Sequence, residues 1–291
     1  MDIEITTLTK TYRGGVHALS GIDLQIPTGM FGLLGTNGAG KTTLMRILAG
    51  VLPATSGRVL VGGHDLATPD GRTAVKQALG YLPQELGVYP DLSAREFLDY
   101  VALLKGIDSR ADRRRRIAEV LELVALGDVA DRKLKTYSGG MKRRVGIAQA
   151  LLADPRLLIV DEPTAGLDPE ERIRFRTLLA GLAANRTVLL STHIVDDIAQ
   201  VCPRLAVLAQ GRVVFAGDTS ALVAAARGRV WTVSTAGPPP AAGTVVSALH
   251  LPEGVQYRVV ADICPQDNAS PVDPSLEDGY VALMRQRQLT P

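Results

Sequence analysis

One segment of the chain, residues 35–42, has the residue types and spacing that bind a polyphosphate. It reads Gly-Thr-Asn-Gly-Ala-Gly-Lys-Thr, the G-x-x-x-x-G-K-T pattern. In such a loop, backbone N–H groups surround the phosphates, the lysine reaches the terminal phosphates and the threonine holds Mg²⁺. The residues predicted to bind a nucleotide here are Asn37, Gly38, Ala39, Gly40, Lys41, Thr42 and Thr43, with Thr42 also a Mg²⁺ ligand.

A pair of carboxylates, Asp161 and Glu162, follows the apolar run of residues 157–160. A carboxylate at the end of a buried parallel strand can meet a Mg²⁺ ion at the mouth of the sheet, which is the role predicted for Asp161. Capping of the strand is the alternative. Hydrolysis also needs a carboxylate aligned with the attacking water, and we assign that general base to Glu162.

Two further segments stand where a helix begins. Ser138, Gly139 and Gly140 open a helical pattern, and helix N-termini bind anions, although capping by Ser138 explains the serine equally well. Asp168 also precedes a helical pattern, and capping is again the alternative to a role at the nucleotide.

Hydrophobic periodicity predicts alternating strands and helices, and therefore an α/β fold with a mostly parallel sheet covered by helices. The apolar segment 30–34 is a buried strand that leads into the phosphate loop, and the helix of residues 40–49 follows that loop. Strands are predicted at residues 3–8, 19–26, 30–34, 58–61, 78–82, 157–160, 187–190, 205–208, 213–215, 230–233 and 255–260. Helices are predicted at residues 40–49, 93–104, 109–125, 140–152, 169–183, 195–201 and 275–287, the last with Leu276, Tyr280, Leu283 and Met284 on one face and a Ser275–Asp278 cap.

Composition excludes several classes of protein. The net charge of +2 is too small for a broad nucleic-acid footprint, so no nucleic-acid partner is expected, and the basic run of residues 113–116 is interpreted as a solvated helix face. Two cysteines without C-x-x-C spacing predict neither a zinc site nor a disulfide framework. No secretory signal and no apolar run of about 20 residues is recognisable, so the chain is not expected to span a membrane.

Together these segments resemble the nucleotide-binding subunit of ATP-binding cassette (ABC) transporters over about residues 1–216. The order of motifs matches that family, including an aromatic residue ahead of the loop (Tyr12), a glutamine after a strand (Gln84) and a histidine (His193). The resemblance implies that Tyr12 stacks on adenine, that Gln84 is a Mg²⁺ ligand, and that His193 bonds the γ-phosphate and orients the attacking water. A surface or core tyrosine, a solvent-facing glutamine and a structural histidine are the alternatives.

The resemblance also implies a domain plan and partners. Residues 1–83 and 154–216 form the P-loop NTPase core, residues 84–153 the helical signature subdomain, and residues 217–291 a small α+β accessory domain. Ser138, Gly139 and Gly140 contact ATP held by a second copy or by a similar cassette, so ATP-driven dimerisation powers a separate polytopic permease at the cytoplasmic face of the membrane. ATP and Mg²⁺ are the implied cofactors.

Local departures from the commonest pattern bear on the direction of transport. Tyr137 and Met141 flank Ser-Gly-Gly in the form seen in exporter-type cassettes, and Thr36 replaces a frequent proline without removing a catalytic group. Export is therefore the preferred prediction. A soluble, non-transport ABC-type ATPase and a low-turnover regulatory module are the alternatives.

Overall fold

The computed structural model describes residues 1–164 and 167–288, and these divide into two compact units. The first comprises Met1–Val201 and Ala206–Ala216, and the second comprises Cys202–Leu205 and the residues from Gly217 onwards. The sequence analysis assigns Cys202–Leu205 to the core. They cluster with the second unit because Thr219 donates hydrogen bonds to the carbonyls of Cys202, at 2.6 Å, and Pro203, at 2.9 Å.

The elements alternate between strand and helix along much of the chain. The strands are β1 (Ile3–Thr11), β2 (His17–Ile26), β3 (Gly29–Leu34), β4 (Ser56–Val61), β5 (His64–Asp65), β6 (Leu79–Leu82), β7 (Leu157–Asp161), β8 (Thr187–Thr192), β9 (Arg204–Ala209), β10 (Arg212–Asp218), β11 (Val230–Thr235), β12 (Thr244–Leu251), β13 (Gly254–Val260) and β14 (Ser270–Pro271). The helices are α1 (Lys41–Leu48), α2 (Pro69–Ala78), α3 (Ala94–Leu104), α4 (Arg110–Leu123), α5 (Gly139–Leu151), α6 (Pro169–Leu182), α7 (Val195–Ala199), α8 (Thr219–Ala224) and α9 (Leu276–Gln288).

The largest sheet has the strand order β10-β9-β3-β8-β7-β6. Its neighbours β3 and β8, β8 and β7, and β7 and β6 pair in parallel. Every residue of β7 and of β8 is buried, which explains the apolar runs of residues 157–160 and 188–190 in the sequence. Because these strands run in one direction, their carboxyl ends lie along one edge of the sheet.

The N-terminal strands do not join this parallel sheet, contrary to the expectation of one mostly parallel sheet. They form a separate four-stranded sheet of order β2-β1-β4-β5, in which each described pair is antiparallel. The short connection between β1 and β2 allows only antiparallel pairing, since a parallel crossover needs about a dozen residues or more. One buried apolar cluster combines residues of both sheets with the inner face of α1.

The helical segment between β6 and β7 contains α3, α4 and α5. Ser93 and Glu96 form a capping box at the start of α3, and Ser109 caps α4. The basic run in α4 is not simply a solvated face. Arg113 is only 9% exposed and pairs with Asp99, and Arg116 donates to the carbonyls of Leu151 and Leu152 at the end of α5.

The second unit contains a sheet of order β12-β13-β11-β14 and the helices α8 and α9. The predicted Ser275–Asp278 cap is confirmed, because the Asp278 amide donates to Ser275 Oγ at 3.3 Å. The four residues predicted to share one face of α9 are buried or half-buried. Gly279 faces α8 so closely that an added Cβ would lie 2.3 Å from the carbonyl oxygen of Leu222, and Ala282 is also buried.

Five of the elements above are absent from the sequence prediction. They are α2, α8, β12 and the two-residue strands β5 and β14. For α2 a signal existed, since Thr68 accepts the hydrogen bond of Gly71 and Pro69 occupies the first helical position. For β12 the signal was weak, because most of its side chains are exposed at the edge of the sheet and its polar and apolar residues do not alternate.

Asp278 is expected to be the main electrostatic anchor of the second unit. It is fully buried and accepts hydrogen bonds from Arg258 and Ser275. Burial alone would raise the pKa of Asp278, but those hydrogen bonds outweigh it and hold the pKa below the ordinary 3.8. The stabilisation is therefore present above about pH 4 and is lost as the pH falls through the depressed pKa.

We expect Asp278→Asn to lower the free energy of unfolding of this unit by about 3 kcal/mol, because it breaks a buried ion pair. Urea unfolding followed by the fluorescence of Trp231, the one tryptophan of the chain, measures this change. The pair Arg229–Asp262, in which the Asp262 side chain is 54% exposed, is the control, and Asp262→Asn should cost less than about 1 kcal/mol. Equal effects of the two substitutions would contradict the anchoring role.

Candidate functional site

The phosphate loop connects β3 to α1 and places the amide groups of a helix start at the carboxyl edge of the parallel sheet. Gly40 is the N-cap of α1 and has a left-handed φ of 105°. A Cβ at Gly40 would lie 2.6 Å from the carbonyl oxygen of Ala18. Only glycine meets both conditions, and unpaired N–H groups at a helix start favour an anion.

Lys41 is the first residue of α1 and is only 5% exposed. Its ammonium donates to the carbonyl oxygens of Gly35, at 2.7 Å, and Thr36, at 3.2 Å. It also lies 3.2 Å from Oε1 of Glu162. The loop and the carboxylate predicted to be the base therefore share one buried cation.

Glu162 lies between that cation and an imidazole. Its Oε2 accepts a hydrogen bond of 2.6 Å from Nδ1 of His193, which follows β8. Glu162 has a φ of 47°, a left-handed conformation that costs a non-glycine residue roughly 1–2 kcal/mol. Strained backbone of this kind is concentrated at functional sites, and here it sets the direction of the carboxylate.

Asp161 ends β7 and is completely buried. Its Oδ1 accepts a hydrogen bond from the hydroxyl of Ser191, whereas its Oδ2 has no partner among the described residues. Ser191 was not among the predicted site residues. Asp161 and Ser191 are paired across the parallel register of β7 and β8, so a correct alignment of the two predicted strands would have indicated the contact.

The predicted phosphate-binding residues line one cavity of about 300 Å³. Its lining residues are Ala18, Thr36, Asn37, Gly38, Ala39, Gly40, Lys41, Thr42, Thr43, Gln84 and Glu162. Ala18 was not predicted and belongs to β2, which sequence patterns do not connect to the loop. The structure thus brings the loop, Gln84 and the carboxylate of Glu162 to one cavity.

Tyr12 lies close to this cavity without lining it. Its hydroxyl is 3.2 Å from Oγ1 of Thr43, and the ring is 37% exposed. The ammonium of Lys10 lies 5.5 Å from the centre of the ring. An exposed aromatic face tied to the first turn of α1 is suited to stack on a nucleotide base.

The predicted contacts of the Ser-Gly-Gly turn and Asp168 are not made within this chain. Ser138 is the N-cap of α5 and accepts a hydrogen bond of 3.2 Å from the amide of Met141, and both Ser138 and Gly139 are exposed. Asp168 is the N-cap of α6 and accepts the amide hydrogen bond of Glu171 at 2.8 Å. Neither segment lines the phosphate cavity.

The donor set fits Mg²⁺ held jointly with a nucleotide. The free, buried Oδ2 of Asp161 is a hard oxygen ligand, and the hydroxyl of Thr42 and the amide oxygen of Gln84 belong to residues lining the cavity. Within the described ranges, no three His, Cys, Asp or Glu side chains form a metal-binding group. Mg²⁺ does not need one, since it commonly uses one or two carboxylates, substrate phosphates and water.

The family pattern described as ABC transporter matches residues 19–165, more than half of the chain. The chain belongs to the ABC transporter family. An uncharacterised ABC transporter ATP-binding protein of Synechocystis is 36% identical to it over 99% of this chain and 86% of the relative's own length. The predicted family, α/β P-loop ATPase fold and ATP-hydrolysing class are confirmed.

The named relatives include a resistance protein and an export protein. The daunorubicin/doxorubicin resistance ATP-binding protein DrrA of Streptomyces peucetius is 42% identical over 76% of this chain and 66% of its own length. The Nod factor export ATP-binding protein I of Paraburkholderia xenovorans is 38% identical over 76% of this chain and 72% of its own length.

A solved ABC cassette has a similar fold. The dimeric post-hydrolysis state of the cassette MJ0796, bound to ADP and phosphate, has a TM-score of 0.68 and 28% identity. The structural match covers 74% of this chain and 98% of the chain of that cassette. No helix within residues 1–164 or 167–288 of this chain is long and apolar enough to cross a bilayer.

Gly40→Ala is expected to weaken ATP binding at least about tenfold, because the added Cβ meets the Ala18 carbonyl and disfavours the left-handed φ. Titration with a fluorescent ATP analogue measures the effect. Gly29 is the matched control, since its φ is 109° but a Cβ there would have nothing within 4 Å. Gly29→Ala should lose about 1 kcal/mol of stability and keep its ATP affinity. Unchanged affinity of Gly40→Ala would contradict the loop geometry.

Proposed function

We propose that this chain is the ATPase subunit that powers export through a separate membrane permease, by ATP-driven dimerisation. The observation that supports it best is the position of Glu162, held between Lys41 and His193 at the phosphate cavity. In this proposal residues 1–83 and 154–216 form the catalytic core, residues 84–153 the signature subdomain and residues 217–291 an accessory domain.

ATP binding exchanges the partners of Lys41. The β- and γ-phosphates accept hydrogen bonds from the loop amides and from the ammonium that otherwise bonds Gly35, Thr36 and Glu162. Tyr12 stacks on the adenine, at the side of the loop where it contacts Thr43. The exchange frees one oxygen of Glu162 to face a water molecule.

Hydrolysis then uses Glu162 as the general base. The water oxygen attacks the γ-phosphorus as its proton passes to the Glu162 carboxylate, and the bond to the bridging oxygen breaks to release ADP. His193 keeps the carboxylate oriented through the bond between Nδ1 and Oε2 and bonds the γ-phosphate from the same edge of the sheet. Thr42, Gln84 and Asp161 would hold Mg²⁺, which neutralises developing phosphate charge when bound.

Each active site in this proposal is completed by a second copy. The turn formed by Ser138, Gly139 and Gly140 presents a helix start to solvent and makes no contact with the chain's own cavity, so it is available to a partner's γ-phosphate. Asp168 lies at the exposed start of α6 and contributes to the same interface. ATP then favours the dimer, and its hydrolysis releases it.

The partner in the membrane is a polytopic permease. ABC transporter ATP-binding subunits work with such partners, and the proposal places this chain peripherally at the cytoplasmic membrane face. Export is supported by the similarity to the Nod factor export protein. A soluble ABC-type ATPase without a permease is the competing possibility. Purification from detergent extract distinguishes the two, since recovery without any polytopic protein would count against transport.

Glu162→Gln should abolish turnover, by at least about a hundredfold, because the amide cannot accept the proton from water. ATP binding should be retained, and the ATP-dependent dimer should live longer. Phosphate release and size-exclusion chromatography with ATP measure the two effects. Glu170→Gln, at an exposed pair with Arg174, is the control and should leave both unchanged. Turnover within threefold of the unsubstituted protein would refute the base assignment.

Gly139→Asp tests the composite site. A Cβ at Gly139 has nothing within 4 Å, and an acidic residue suits the first turn of a helix, so the monomer should fold normally. The new carboxylate should repel the partner's phosphate and lower ATP-dependent dimer formation at least about tenfold in the Glu162→Gln background. Gly139→Ala is the uncharged control. A normal dimer with Gly139→Asp would contradict the proposed interface.

A further inference from the structure

Arg143 lies on the first turns of α5, and its side chain contacts the backbone of residues 161–163 at the end of β7. Its Nε donates to the carbonyl of Pro163 at 3.0 Å, and its Nη2 donates to the carbonyls of Asp161, at 3.4 Å, and Glu162. No role was predicted for Arg143, because nothing in the local pattern indicates what an arginine side chain on this helix contacts.

The same guanidinium also holds the segment after β6. Its Nη1 donates to the carbonyl of Gln84 at 2.5 Å and to that of Pro83 at 3.4 Å. The carbonyls bound by this one side chain therefore belong to two loops, one carrying the base Glu162 and the other carrying Gln84. A planar guanidinium with donors on several sides can bridge two loops in this way, whereas a lysine ammonium acts as a point charge.

The backbone at Glu162 needs such support. Its left-handed φ of 47° is unfavourable for a glutamate. The peptide before it is fixed by a hydrogen bond of 3.1 Å from the Glu162 amide to the carbonyl of Ser191. The next residue, Pro163, has no N–H to donate, so the peptide after Glu162 is fixed through its carbonyl by Arg143.

The environment of Arg143 matches this task. Burial lowers the pKa of Arg143, and the neighbouring charges of Asp161 and Glu162 oppose that shift. Several carbonyl oxygens also satisfy the guanidinium, so the cost of desolvating it is offset by bonds that point to one small region.

We propose that Arg143 is a positioning residue, which holds the strained Glu162 backbone in its catalytic direction and couples it to Gln84 and to the helix that begins at Ser138. The inference rests on the proposed function, since it acts through Glu162 as the base. Loss of the guanidinium leaves the phosphate loop intact but lets the carboxylate turn away from the water. The consequence is a defect in turnover rather than in nucleotide binding.

Arg143→Gln and Arg143→Lys test this role. We expect kcat for ATP hydrolysis to fall between about tenfold and a hundredfold in Arg143→Gln, as for a misplaced catalytic group. The Kd of a fluorescent ATP analogue, measured without Mg²⁺ so that Gln84 does not enter, should change less than about threefold. Arg143→Lys keeps the charge but not the bridge, so its kcat should stay closer to that of Arg143→Gln than to that of the unsubstituted protein.

Arg116→Gln is the matched control. Arg116 also lies in the helical segment, and its guanidinium also donates to backbone carbonyls. These carbonyls belong to Leu151 and Leu152 at the opposite end of α5. It should lower the melting temperature without a selective loss of kcat. Assays at a temperature well below every variant's melting point separate stability from catalysis.

The outcomes distinguish the inference from the function on which it rests. If Glu162→Gln is inactive while Arg143→Gln keeps kcat within threefold, the positioning role is overturned and the base assignment survives. Full activity of Arg143→Lys, or equal losses of kcat in Arg143→Gln and Arg116→Gln, would also overturn it. If Glu162→Gln itself retains turnover, the proposed base fails first, and the role of Arg143 fails with it.

Discussion

The parallel register of β3, β8 and β7 is the constraint on which the site depends. Leu34 at the end of β3 is paired with Thr192 at the end of β8, and Ser191 is paired with Asp161 at the end of β7. The three segments that follow these strands therefore leave the sheet at one edge. They are the phosphate loop after β3, the segment with His193 after β8, and the segment with Glu162 after β7. A slip of one residue would turn the Asp161 side chain to the opposite face of the sheet, away from Ser191, so the register of β7 and β8 fixes the position of the site residues.

Within that frame, Glu162 has two partners, one at each carboxylate oxygen. Its oxygens contact a buried ammonium at 3.2 Å and an imidazole at 2.6 Å. Removing one member of a buried charge pair is costly, so Lys41 can leave Glu162 only when phosphate charge takes its place. In the proposed mechanism, ATP supplies that charge and frees the base at the same moment. The carboxylate is then available for proton transfer only when a substrate is bound.

The sequence could predict what is local. The loop pattern, the carboxylate pair and the helix starts at Ser93, Ser109 and Ser275 are encoded within a few neighbouring residues, and the structure contains each of those elements. The pairing of β1 with β4 was missed because its partners, such as Ile3 and Val61, are far apart in sequence, whereas the short connection between β1 and β2 was a local signal for antiparallel pairing. Ser191, Asp278 and Arg143 were missed or undervalued for the same reason. Their importance comes from long-range hydrogen bonds, which periodicity does not reveal.

Burial divides the proposed site residues into two classes with different physical tasks. Lys41, Asp161 and Glu162 are at most 5% exposed, so their geometry is determined by the core of their own chain. Ser138, Gly139 and Asp168 are exposed helix starts, whose positions depend on the helices that carry them. A site that needs both classes also needs contacts that link the exposed helix starts to the buried residues. Arg143 lies on the helix that begins at the exposed turn, and it donates a hydrogen bond to the backbone carbonyl of the buried Glu162. In the proposed dimer, a movement of this turn onto ATP therefore acts on the Glu162 backbone through Arg143.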